Sequence, residues 1–210
     1  MLTLRKGVKM LRTMDKERRL LTNKVEFRTD NDDSSPRIVG YGLRFNVWSQ
    51  DLGGFIERID PKALNGADMS DVRCLIDHES GKIIGRTTSG TLQLSVDEFG
   101  LRYDADPPDT TYANDLITVM KRGDVNQSSF AFRIDYENGG DEWDYDEEKG
   151  IHLRTVRKIK RIFDVSVVTY PAYAQAESLV SNRSLECYQN ELRRKQEQEK
   201  LLLEIDLLGI

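Results

Sequence analysis

Gly123-Asp124-Val125-Asn126-Gln127-Ser128-Ser129-Phe130-Ala131-Phe132-Arg133-Ile134 is a turn followed by a short alternating run. As a strand it puts Ser128, Phe130, Phe132 and Ile134 on one face and Ser129, Ala131 and Arg133 on the other, because successive side chains switch sides. The phenylalanine face must be core. Ser129 therefore stands on the opposite, uncrowded face, where a loop becomes a strand. That position suits a nucleophile, provided a base takes the hydroxyl proton.

Working outward, the residues before Gly123 predict a helix. Asp109 or Thr110 can cap it, Leu116, Ile117, Val119 and Met120 form its apolar face, Lys121 and Arg122 suit its negative end, and Gly123 suits a left-handed cap. Strand-like alternation recurs over residues 38–45, 55–59, 72–76, 82–87, 91–96, 101–105, 151–157 and 160–169, and Asp60-Pro61 opens a short helical turn. Short strands with turns at this spacing suit an antiparallel barrel or sandwich. The last of them is apolar on both faces, so it is read as buried on both sides. Asp164 is its misfit: an ionised carboxylate there needs a cation or a proton donor beside it.

Length and composition bound the rest. The 210 residues suit one core with appendages, and 32% charged residues with a net charge of −5 argue against nucleic acid as a partner. No apolar run approaches the roughly 20 residues needed to span a bilayer, and the basic stretch 1–24 lacks a signal-type apolar core, so a cytosolic chain without membrane partners is expected. That stretch is read as an arm. Cys74 and Cys187 are read as reduced thiols, Cys74 as a core residue, since a strand would hold it roughly 13 Å from His78. The acidic run over 135–150 misplaces the glycine that a calcium loop requires and is read as a solvated hairpin. Residues 185–208 predict a charged, leucine-bearing helix that needs the body of the protein or another chain to cover it.

The choice of base is narrow, because the chain has two histidines. His152 sits on the polar side of an outer strand. His78 ends the apolar strand 72–76 within Asp77-His78-Glu79-Ser80-Gly81. Together with Ser129 and Asp164 it supplies the hydroxyl, imidazole and carboxylate of a base-activated serine. A metal site on His78, Asp77 and Glu79 is disfavoured, since neighbours on a strand face opposite ways. No phosphate-binding glycine loop or dinucleotide fingerprint is present, and no cofactor or metal is expected.

Four ordered blocks carry a resemblance: Leu75-Ile76-Asp77-His78-Glu79; Ile84-Gly85-Arg86; Gly123-Asp124-Val125 leading to Ser128-Ser129-Phe130-Ala131-Phe132; and Phe163-Asp164-Val165-Ser166-Val167-Val168-Thr169-Tyr170-Pro171-Ala172. Over Val25 to Ser181 the chain resembles the prohead (capsid maturation) serine proteases of tailed phages, which are similar to the herpesvirus assemblins. The resemblance implies a mainly β fold with flanking helices (α+β), built on a closed antiparallel β-barrel of the assemblin type. It divides the chain into a basic arm (1–24), a protease barrel domain (25–181) and a charged, leucine-rich helical tail (182–210). It places the family's catalytic His, Ser and acid on His78, Ser129 and Asp164, with Ser128 the rival nucleophile. Ala131 stands where the family often has Gly, and Asp164 where many members have Glu. Arg86 is a candidate oxyanion donor, against a salt-bridge role.

The implied activity is serine endopeptidase cleavage of the scaffold region of the major capsid protein, or of a separate scaffold protein, and of the chain itself. It would occur in the host cytoplasm, inside the assembling procapsid. Self-cleavage and a possible homodimer make a second copy a partner. The competing reading is a non-enzymatic capsid assembly or scaffolding protein on the same barrel.

Overall fold

The structure, a computed structural model, describes residues 16–21, 25–28, 36–169 and 174–208. In chain order the strands are β1 (Glu17–Leu21), β2 (Glu26–Arg28), β3 (Arg37–Arg44), β4 (Phe55–Ile59), β5 (Arg73–Ile76), β6 (Glu79–Arg86), β7 (Leu92–Val96), β8 (Gly100–Ala105), β9 (Gln127–Ile134), β10 (Asp141–Asp146), β11 (Ile151–Val156) and β12 (Ile159–Val168). Helix α1 (Thr111–Arg122) lies between β8 and β9, and α2 (Ala174–Leu208) follows β12. The predicted helix forms with Thr110 at its N-cap position and Gly123 beyond its last turn at a φ of 86°. Ala113, Leu116, Ile117 and Met120 are its buried face. The stretch read as a basic arm contains β1; its first 15 residues lie outside the described part.

The strands form three sheets, in the orders β1-β9-β12-β5-β6, β2-β3-β8-β7 and β10-β11-β4. The expected closed antiparallel barrel is not there. Among the described residues no sheet closes on itself, β12 pairs parallel with β5, and β11 pairs parallel with β4. Closure needs edge strands to pair along their length with a consistent stagger. Here the second and third sheets are joined at the isolated Phe45–Ile59 bridge. Alternation in the sequence states which residues face the core, but not a strand's partner or its direction.

The core lies between the first two sheets. Phe130 and Phe132 of β9 stack at 4.9 Å between ring centres, and with Val165 and Val167 of β12 they join a buried cluster that includes Ile38, Leu43, Leu101 and Tyr103. A bulge in β3 between Tyr41 and Leu43 brings Gly42 against β12, where an added Cβ would lie 2.5 Å from Val165 Cγ1. Val165 is itself wholly buried and has nowhere to retreat. Gly42→Ala should therefore lower stability by about 1–3 kcal/mol through overpacking, read from the midpoint of urea unfolding.

Candidate active site

β9 runs between β1 and β12, with Ser129 opposite Leu20 on one side and Ser166 on the other. Its hydroxyl points away from the phenylalanine face, as the alternation requires. Ser128 faces the core, its Oγ 3.4 Å from the Tyr103 hydroxyl and 3.3 Å from the Ser166 carbonyl oxygen.

His78 is not on a strand. Asp77 and His78 form the two-residue turn between β5 and β6, with Ile76 paired to Glu79 and φ values of 48° and 58° at the two turn residues. Two successive positive φ angles mark a type I′ hairpin turn, which suits the twist of the strands but favours Asn and Gly. Asp and His tolerate the left-handed region better than most residues. Parallel pairing supplies the support. Because β5 and β12 run the same way, the turn after β5 lies beside the end of β12. There the Asp77 N–H donates to the Val167 carbonyl at 2.9 Å. The Asp77 carboxylate accepts the Thr169 N–H at 2.8 Å and the Thr169 hydroxyl at 3.0 Å.

The turn aims the imidazole inward. His78 Nε2 lies 2.7 Å from Ser129 Oγ, and Nδ1 is hydrogen-bonded to Asp164 Oδ1. The three side chains singled out in the sequence thus meet. Ser166 Oγ lies 3.1 Å from both Nδ1 and Asp164 Oδ1, bracing the same junction. Lys16 Nζ reaches Asp164 Oδ2 at 2.6 Å. Burial alone would raise the Asp164 pKa, but His78 and Lys16 together hold it below the usual carboxylate range. The buried acid therefore has the proton donor and the cation that its position in an apolar strand demands.

Ser129 is wholly buried, against the uncrowded position expected from sequence. The cause is β1, which covers the β9 edge and brings the Arg19 carbonyl oxygen 2.9 Å from Ser129 Oγ. On the other face of β1, Glu17 and Arg19 enter a buried cluster with Glu57, Asp141 and Arg154. Arg19 donates to Glu57 through Nε at 2.7 Å and Nη2 at 3.0 Å. Arg154 donates through Nη1 to Glu57 at 2.9 Å and to Glu17 at 3.0 Å. Burial opposes the Glu17 charge, yet Arg154 and Arg19 bring its pKa down to about 2. Burial likewise opposes the Arg19 charge, and Glu57 and Glu17 overcome it, holding the guanidinium above its ordinary value. Lys16, Arg19, Glu57, Arg154 and Ser166 were not singled out from sequence. Charged side chains in short strands read as solvent-facing, and only the spacing of Glu17 and Arg19 to one face hints otherwise.

The remaining candidates lie apart from this constellation. Arg86 is held by Asp71 through Nε at 2.7 Å and Nη2 at 2.9 Å, the salt-bridge role. Glu79 pairs with Lys82 and Asp77 with Thr169, so neither joins His78 around an ion. Among the described residues no group of three His, Cys, Asp or Glu side chains is placed to hold a metal. Cys74 is a buried free thiol whose pKa burial pushes up. His152, on β11, packs against the rings of Tyr145 and Tyr188. No helix among the described residues is long and apolar enough to cross a membrane.

Residues 23–191 match the family model described as caudovirus prohead serine protease. No curated protein and no solved structure matches the chain.

Proposed function

The chain belongs to the caudovirus prohead serine protease family, and from that premise we propose that Ser129 is its nucleophile, His78 its general base and Asp164 the acid that orients the ring. The observation that carries this reading is the unbroken line of contacts from Asp164 through both nitrogens of His78 to Ser129 Oγ. His78 takes the hydroxyl proton as Ser129 attacks a peptide carbonyl, then gives it to the leaving amine. Asp164 holds Nδ1 protonated, so that Nε2 is the nitrogen free to accept, and it stabilises the imidazolium that forms. Water then repeats the cycle on the acyl-enzyme and releases the new carboxyl terminus.

Family membership supports a role in capsid maturation, with capsid protein as substrate inside the procapsid of the host cell. The finer reading is that the scaffold region of the major capsid protein, or a separate scaffold protein, is cut, and that the chain also cuts itself. Enclosure favours such an enzyme, because confinement raises the effective concentration of substrate without new contacts.

Co-expression of the chain with the capsid and scaffold proteins of its phage, in water enriched in oxygen-18, tests this by mass spectrometry. A shortened capsid or scaffold protein bearing the heavy isotope at its new carboxyl terminus is the expected product. Substrates that keep their full mass, or that shorten equally when the chain is omitted, would sink the proposal.

A further inference from the structure

β1 does more than cover a sheet edge. It lies antiparallel along the nucleophile's strand, and the carbonyl oxygen touching Ser129 Oγ at 2.9 Å is that of Arg19, so the neighbouring peptide bond is Arg19–Leu20. An extended peptide added to a strand edge is bound by its main chain and recognised by alternate side chains. In β1 the alternate residues on the buried side are Glu17 and Arg19.

Each is met by its chemical complement. Glu57 accepts from Arg19 Nε at 2.7 Å and from Nη2 at 3.0 Å, the planar two-point grip suited to a guanidinium. Glu17 is gripped by Arg154, through Nη1 at 3.0 Å and Nη2 at 3.3 Å, and by the Tyr136 hydroxyl at 3.0 Å. Glu17 also accepts from Arg19 Nη2 at 2.5 Å, so the two occupants are paired with each other. With the β1 side chains set aside, Glu57, Asp141 and Arg154 leave one negative charge in excess, on the side where Arg19 sits. The cluster is built to receive a cation, with an acid two residues earlier.

We infer that β1 occupies the substrate groove as the chain's own first substrate, and that Glu57 and Arg154 make the enzyme cut after an acidic residue, any residue and a basic residue, here Glu17-Arg18-Arg19. The inference rests on the serine peptidase reading of Ser129. The hydroxyl hydrogen can serve the Arg19 carbonyl or His78 Nε2, but not both, and the reaction starts when it turns to Nε2. Ser129 Oγ then bonds to the Arg19 carbonyl carbon, the bond to the Leu20 nitrogen breaks, and the proton on Nε2 passes to that nitrogen. Water cleaves the resulting ester, restoring the hydroxyl and leaving Arg19 with a free carboxylate. Release of residues up to Arg19 takes away Lys16 as well, so Asp164 loses its cationic partner in the processed enzyme.

The test uses the full chain and a peptide library derived from a bacterial proteome, both read by mass spectrometry. The wild type should yield a species beginning at Leu20. Ser129→Ala should not, and Arg19→Glu should slow its formation about 100-fold or more, because it sets a carboxylate against Glu57. Library cleavages should carry Arg or Lys before the cut bond and Asp or Glu two residues earlier, and Glu57→Gln should reduce that preference. Were Glu57→Gln not to fold, the wild-type library and Arg19→Glu would still decide. Ser129-dependent cleavage without this pattern overturns the recognition inference and leaves the peptidase reading standing. Absence of Ser129-dependent cleavage in capsid protein, library and chain alike overturns both.

Discussion

Ser129→Ala is expected to lower capsid-protein processing by about 10⁴- to 10⁶-fold, the range over which removal of an activated serine acts when its partners work as a unit. The fold should survive the change. The hydroxyl's contacts are His78 Nε2 and the Arg19 carbonyl, and losing hydrogen bonds of this kind costs about 1 kcal/mol each. Activity and stability therefore separate. The measurement is the time course of intact capsid-protein mass, beside thermal unfolding of the same preparation. Ser128→Ala is the informative companion, since Ser128 faces Tyr103 and the core. Processing lost with Ser128 and kept without Ser129 would reverse the assignment.

Asp164→Asn is expected to reduce the rate by about 10³–10⁴-fold with little change in shape. Asparagine has one acceptor oxygen where the carboxylate has two, and Asp164 now serves His78, Ser166 and Lys16. Lys16 can only donate, which draws the amide oxygen toward it and turns the amide NH₂ toward His78 Nδ1. The ring must then carry its proton on Nε2, and a protonated Nε2 cannot accept from Ser129. Burial opposes ionisation of Asp164, but His78 and Lys16 depress its pKa, so the wild-type carboxylate is charged wherever His78 is neutral and able to act as the base, and the loss in Asp164→Asn should appear as a lower rate at every such pH. A variant as active as the wild type would remove Asp164 from the mechanism.

Much of this constellation was legible in the sequence. Phe130 and Phe132 announce which side of β9 is core, and that fixes the side on which Ser129 must act. Asp164 announces itself as a charge in an otherwise apolar strand, so a partner could be demanded before any was seen. Sheet closure was not legible, because the β5–β12 and β4–β11 pairings join segments far apart in the chain and run parallel. Alternation is blind to both facts. The turn at Asp77-His78 escaped for a different reason: two left-handed residues are usually signalled by Asn or Gly, and here the conformation is held by Thr169 and Val167 at the end of β12. β1 escaped because Glu17 and Arg19 look like surface residues until Glu57 and Arg154, distant in sequence, are brought to them.

The place of β1 at the margin of its sheet has a bearing on handling the protein. A strand stripped of its outer neighbour offers a row of unsatisfied amides and carbonyls, a template for adhesion to any extended chain. Were cleavage after Arg19 to release Glu17 to Arg19, the part of β9 that they pair with, Phe130 to Phe132, would become that template. The trimmed molecule should precipitate or swap strands at concentrations the intact one tolerates, and a short peptide laid along the vacated margin should keep it in solution.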